Sequence, residues 1–239
     1  MHALTSRQLR SALDALHVIG EGCADRADFA RRGVASLSRL IGSELTTLSV
    51  CDLDSKHRSV VSNAPGAISS RQLEVFDRYF HDHPLVRAHG RNPNAVTKRI
   101  SDVVPLDSFR RTPLFNDYYR PIGIRHAMAV PVHVDRRFLV SFVFNRTGSA
   151  FTDRERDLAE TIRPHLADLY RLGAGKRPSL PLTPREREVL EWVAAGKTSR
   201  DIAAILGASP RTIEKHLERI YDKLGVETRT AAAMRAFHA

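Results

Sequence analysis

The chain has 239 residues, 37 Lys and Arg against 27 Asp and Glu, and a formal net charge of +10, so it exceeds one typical domain and favours polyanionic partners. Its two cysteines, Cys23 and Cys51, form neither a metal-ligand spacing nor a disulfide framework, as expected in a reducing cytosol. No signal-peptide core and no apolar run of roughly 18–20 residues appears, which excludes a membrane span and makes a cytoplasmic location the expectation.

Residues 6–20 and 26–41 read as two amphipathic helices. Leu9, Leu13 and Leu16, then Val34, Leu37, Leu40 and Ile41, recur at helical spacing. The stretch from Leu45 to Leu53 is rich in β-favouring residues, with Arg58 to Ser62 as its hairpin partner across Asp54-Ser55-Lys56. Ser69 opens a helix over Arg71–Phe80, which His81, Asp82, His83 and Pro84 break. Residues 84–124 read as loop and short helix studded with aromatics. Two apolar strands follow, Ala127–Val134 and Phe138–Asn145, whose character suits the centre of a covered sheet. Thr152 caps a long helix to about Tyr170, with Leu158, Ile162, Leu166 and Leu169 inward and Pro164 as a kink point. The Gly- and Pro-rich stretch 173–181 reads as a linker.

The last quarter carries four successive helix starts. Thr183, Pro184 and Glu186 form a capping box with proline in the first turn, which predicts a helix over 184–195. Gly196 stops it, and Thr198 with Asp201 caps a second helix over 199–206. Gly207 stops that one, and Ser209 and Pro210 open a third over 210–224. Ile213, Leu217, Ile220 and Leu224 share one face of it, which is the expected buried face. After Gly225, Thr228 caps a final helix carrying Ala232, Ala233, Ala236 and Phe237. Helices two and three are joined only by Gly207-Ala208-Ser209, which matches a helix-turn-helix. Only the first two turns of its second helix reach base edges in a major groove. Arg211, Thr212, Glu214, Lys215 and Glu218 are therefore the expected DNA-facing set, with Thr198 and Ser199 as candidates to hold a phosphate on free amides.

The segments LTPREREVL, GKTSRDIAAILGAS and RTIEKHLERIYDKLGV resemble the C-terminal DNA-binding domain of LuxR-type (LuxR/NarL/FixJ) bacterial transcription regulators, over about 58 of the 239 residues. The resemblance implies a four-helix domain whose last helix helps to pair two copies on DNA. Members of that family often carry basic residues where Glu214 and Glu218 stand. Ahead of it, the order of helices and strands, with the stretch FRRTPLFNDYYRPIGIRHAMAVPV, resembles the GAF/PAS-like sensory domains. The expected fold is thus an α+β GAF/PAS-like sandwich over 1–172, a linker over 173–181, and an all-α reader over 182–239. In such sandwiches the crossover covers a ligand pocket, which makes Phe76, Tyr79, Phe80, Phe109, Phe115, Tyr118 and Tyr119 the pocket candidates; the alternative is that these aromatics are core.

A metal site at His81, Asp82, His83 and His89 is a weak pattern, and no metal or cofactor is expected. A nucleophile elbow, phosphate loop, dinucleotide fingerprint and paired catalytic carboxylates fail to appear, which argues against an enzyme. A phosphorylated receiver is disfavoured because the chain opens with two helices. An acyl-homoserine lactone sensor is disfavoured because the only tryptophan, Trp192, lies in the reader. The expectation is a homodimeric regulator on a double-stranded DNA operator, with a small-molecule effector and RNA polymerase as further partners. Its competitor is a ligand-independent dimeric scaffold.

Overall fold

A computed structural model describes residues 4–175, 182–224, 226, 228–230 and 232–233. The chain divides into two compact units, Met1–Gly173 and Ala174–Ala239. The first is built on a five-stranded antiparallel sheet in the order β2-β1-β5-β4-β3, with β1 Leu45–Asp52, β2 His57–Ser62, β3 Lys98–Arg99, β4 His126–Val134 and β5 Phe138–Arg146. The turn between β1 and β2 forms because the Asp52 carboxylate accepts from the amides of Asp54 and Ser55, while Lys56 takes a positive φ of 59°.

Strand alternation sends the two faces of this sheet into two separate cores. Leu48, Met128, Val130, Val140, Phe142 and Phe144 pack under α1 Ser6–Gly20, α2 Arg26–Ile41 and α6 Asp153–Gly175. The α2 helix approaches so closely that a Cβ on Gly33 would stand 2.4 Å from Phe142 Cζ. Cys51, Ala127, Ala129 and Leu139 face the other way, toward α3 Ser70–Arg78, α4 Pro84–His89 and α5 Leu106–Arg110.

The expected ranges of α1 and α2 are the observed ones, but the buried face of α1 is not the expected one. Ala12, Ala15 and Ile19 are buried, whereas Leu9 and Leu13 are exposed. Both stripes have helical spacing, and the small side chains of Ala12 and Ala15 let the helix sit closer to its neighbours. The helix expected over Arg71–Phe80 ends at Arg78, followed by a 3-10 turn at Phe80–Asp82. His83 does not merely break it: its Nδ1 accepts from the amides of Leu85 and Val86 and so caps α4. The stretch 84–124 is more ordered than a loop, with α4, β3, α5 and a π-helical turn at Phe115–Tyr119. The closing helix α6 runs past Tyr170 to Gly175, over the first three residues of the expected linker. Its interior Pro164 occupies an exposed position within it. The remainder of that linker, 176–181, lies outside the described residues.

In the second unit, α7 Pro184–Ala194, α8 Ser199–Leu206 and α9 Pro210–Leu224 follow the expected ranges to within a residue. Both capping boxes form, Thr183 with Glu186 and Thr198 with Asp201. Gly196 and Gly207 stop their helices with φ of 76° and 61°, the left-handed region that glycine enters at little cost. Ile213, Leu217, Ile220 and Leu224 are buried against Val189, Leu190, Val193 and Ile202. Residues 229, 230, 232 and 233 are helical, and Ala232 joins this core. Gly225, Ala236 and Phe237 lie outside the described residues.

Candidate functional site

The reader presents α9 with its apolar stripe inward, so geometry leaves the opposite side to solvent. Arg211, Thr212, Glu214, Lys215 and Glu218 are all exposed on the first turns of α9. Four of them, Arg211, Glu214, Lys215 and Glu218, make no ion pair among the described residues. Thr212 is partly committed: its amide donates to the Ser209 hydroxyl at 3.1 Å, and the two hydroxyls lie 2.8 Å apart. At the start of α8 the free-amide expectation does not hold for Thr198. Its amide and hydroxyl both donate to the Asp201 carboxylate, at 3.0 and 2.7 Å, because the capping box needs them. Ser199 stands at the first helical position, where the amide has no intrahelical acceptor. Its hydroxyl receives Arg229 Nη1 at 3.3 Å, and Arg229 also bonds the Lys197 carbonyl, so a basic side chain stands beside this helix start.

What fixes α9 against α7 is a buried acid. Glu186, only 3% exposed, takes Lys223 Nζ at 2.6 Å and the Thr183 amide at 2.7 Å on one carboxylate oxygen. Burial raises its carboxyl, but the bonds from Lys223 and Thr183 more than offset this and hold it below the usual range.

The first unit has a polar interior. On the sheet face turned toward α3, α4 and α5, Thr47 and Ser49 of β1 alternate with apolar residues that face away. Ser141 of β5 lies directly opposite Ser49, and Arg58 of β2 is paired with Cys51. The Arg58 guanidinium is buried, with the residue 4% exposed. Its Nη1 donates to Tyr118 Oη at 2.5 Å, and its Nε and Nη2 donate to Ser49 Oγ at 3.0 and 2.8 Å. It stacks over the Phe76 ring at 4.4 Å. The π-helical turn makes this possible. Its Arg120 amide reaches back to the Phe115 carbonyl at 2.8 Å, and the widened turn brings both Tyr118 and Tyr119 inward. Tyr119 Oη meets His83 Nε2 at 2.7 Å.

Because His83 Nδ1 accepts two amides, Nε2 carries the proton and donates to Tyr119. Burial, followed by the nearby Arg58 charge, holds the His83 ring down at about 3, so it is neutral. Burial also pushes the Cys51 thiol up to about 12. A space of about 30 Å³ lies among Ser49, Arg58, Phe76, His83, Tyr118 and Ser141. The buried Ser141 Oγ has no hydrogen-bond partner among the described residues. His89, fully buried beside the same space, has ring nitrogens without a hydrogen bond of normal geometry, and the Val96 backbone comes nearest to being a partner.

A larger groove of about 610 Å³ lies outside it, along Tyr79, Pro84, Val104, Phe109 and Leu114. The expected pocket aromatics therefore divide. Phe76, Tyr118 and Tyr119 line the inner space, and Tyr79 and Phe109 line the outer groove. Phe80 and Phe115 line neither and support the others from behind, Phe80 edge-on to Phe76 and Phe115 edge-on to Phe109. Sequence reading overlooked Arg58, Ser49 and Ser141 as site residues and took His83 only as a helix breaker and a weak metal candidate. The available signal was the period-two recurrence of Thr47, Ser49 and Cys51, with the apolar Leu48 and Val50 between them.

A five-stranded sheet enclosing a polar space, followed by a capped helix-turn-helix, defines a two-domain regulator architecture. Residues 25–168 match the GAF domain model, and residues 180–236 match that of the bacterial regulatory proteins of the luxR family. The chain belongs to the GAF-domain family and, behind that domain, carries the helix-turn-helix of LuxR-type transcription regulators. Among relatives, a putative HTH-type transcriptional regulator, y4qH of Sinorhizobium fredii, is 33% identical over 184 residues, 74% of this chain and 54% of that protein. The HTH-type quorum sensing-dependent transcriptional regulator RpaR of Rhodopseudomonas palustris is 34% identical over 126 residues, 48% of this chain and 47% of that protein. The chain thus spans about half the length of these relatives. The crystal structure of the bacteriophytochrome RpBphP3 from R. palustris covers 92% of this chain and 47% of its own, with a TM-score of 0.53 and 13% identity, a likeness of fold. Among the described residues no helix is long and apolar enough to cross a membrane.

Proposed function

We propose that this regulator binds a double-stranded DNA operator as a homodimer and that a small molecule inside its GAF domain modulates that binding. The observation that carries the DNA half is the exposed set Arg211, Glu214, Lys215 and Glu218, unpaired among the described residues, on the first turns of α9 opposite a buried stripe. Arg and Lys suit guanine N7 and O6, and a carboxylate accepts from cytosine N4. Thr212 adds a methyl group for contact, its hydroxyl being held by the cap. In this reading the Ser199 amide takes a phosphate beside the groove, and the neighbouring Arg229 adds positive charge there. One helix buries a small interface, so useful affinity requires two copies on half-sites about 10 bp apart. Transcription then follows from how the dimer meets RNA polymerase at the operator.

The ligand half rests on the inner space, whose lining includes a buried hydroxyl with no partner, as expected of a site that bonds something small. The test is selection of the full-length protein on a random duplex library, followed by native mass spectrometry of the recovered complex. A motif with two related half-sites and a two-to-one protein–DNA stoichiometry is expected. Recovery of no motif above non-specific binding would overturn the DNA half, and a protein isolated from its host with no added mass would count against the ligand half.

A further inference from the structure

A buried charge is normally paired, because removing it from water is expensive unless an opposite charge and hydrogen bonds replace the solvent. Arg58 breaks this pattern. It is 4% exposed, and every acceptor its guanidinium meets among the described residues is a hydroxyl and none a carboxylate: Ser49 Oγ, Tyr118 Oη and, at 3.5 Å, Thr47 Oγ1. The aromatic faces of Phe76 and Tyr118, at 4.4 and 5.9 Å, offset part of the charge but supply no anion. Asp77, the carboxylate that meets the Arg58 backbone, is already committed. One oxygen takes the Arg58 backbone amide at 2.9 Å and the other meets His57 Nδ1 at 2.6 Å. The neighbours that could carry negative charge do not: burial keeps the Cys51 thiol and the Tyr119 phenol protonated.

Two independent features mark where the missing anion belongs. The space of about 30 Å³ touches Arg58, and Ser141 Oγ, on the strand opposite Ser49, lines it with no partner of its own. So small a space favours a planar carboxylate head over a bulkier tetrahedral phosphate. Around it stand Phe76, Tyr118, Tyr119, Leu139 and Val143, a wall for an apolar body.

We infer that the GAF domain takes a small organic carboxylate, its head group on the Arg58 guanidinium with Ser141 Oγ as a second donor and its apolar body against Phe76 and Leu139. This rests on the reading of the inner space as a ligand site and adds the charge and class of the ligand. A body larger than the head group enters by moving the Tyr119 and Phe109 rings. These are in edge-on contact at 5.3 Å, Tyr119 on the inner space and Phe109 on the outer groove.

The experiment is isothermal titration of full-length protein with benzoate, phenylacetate and hexanoate, each beside its neutral primary amide and beside inorganic phosphate. At least one acid is expected to bind saturably, ten-fold or more tighter than its amide. Arg58→Met should remove that preference, and Ser141→Ala, which leaves the buried cation in place, should weaken the acid several-fold. Should Arg58→Met fail to fold, Ser141→Ala and the acid-to-amide ratio decide the matter. Amides binding as well as acids would overturn the carboxylate class while leaving an interior ligand site standing. Phosphate binding in place of the acids would overturn it in favour of an inorganic anion. Binding of none of these would overturn both the class and the interior site.

Discussion

Replacing Glu186 with Ala removes at once an acceptor for the Thr183 amide and the partner of Lys223. Breaking a fully buried ion pair typically costs about 3–5 kcal/mol, but two features lower the figure here. The Lys223 side chain is 32% exposed and can turn to water, and Thr183 is exposed, so water can take its amide. What remains is a charge-assisted hydrogen bond, about 1.5–3 kcal/mol, together with part of a helix cap, about 1 kcal/mol. A loss of about 2–3 kcal/mol is a large share of the roughly 3–9 kcal/mol that a unit of some sixty residues holds. It corresponds to a fall in melting midpoint of about 8–24 °C. The only tryptophan, Trp192, lies half-buried against the core of the same unit, so its fluorescence follows the reader and not the GAF domain. Because the fold holds the Glu186 carboxyl below its ordinary 4.5, the stabilisation is complete above that pH and is lost as pH falls through the folded-state value. The deficit of the variant should therefore shrink in acid. A Trp192 midpoint within about 2 °C of wild type at pH 7, or a deficit that grows as pH falls, would refute this assignment.

Two further outcomes follow from the first unit. Gly33→Ala gains up to about 1 kcal/mol of helix propensity but forces Phe142 aside, at about 1–3 kcal/mol. Urea denaturation followed by circular dichroism should show a net loss, and a stabilised variant would contradict the close approach of α2 to the sheet. Cys51, buried and with its thiol pushed up to about 12, should resist alkylation in the folded protein at pH 8 and react only as the domain unfolds. Peptide mapping that finds it modified as fast as a free thiol would show the interior to be open.

The reader was legible almost to the residue because its signals are local. Each helix start carries its own cap within three residues, as in Thr183 with Glu186, and α7 and α8 are stopped by Gly196 and Gly207 with positive φ. The strands were legible from composition and the sheet faces only partly so, because Thr47, Ser49 and Ser141 look like tolerated polar residues until β1 and β5 are set side by side. The face of α1 was misread because two stripes at helical spacing compete, and the hydrophobic pattern favours Leu9 and Leu13 where packing selects Ala12 and Ala15. Arg58 and His83 were missed for a related reason. Arg58 reads only as the start of a hairpin strand, and His83 as a helix breaker and part of a weak metal pattern. Contacts 60 and 36 residues away, with Tyr118 and Tyr119, give them their place in the interior.

The central claim is that the first turns of α9 read bases. The direct measurement is fluorescence anisotropy of full-length protein on its selected operator and on a scrambled duplex, for wild type and for Lys215→Ala. The account predicts that the variant loses about 1–3 kcal/mol on the operator, roughly five- to 150-fold, with little change on the scrambled duplex. Equal weakening on both duplexes with a shallower salt slope, or no change on either, would contradict it.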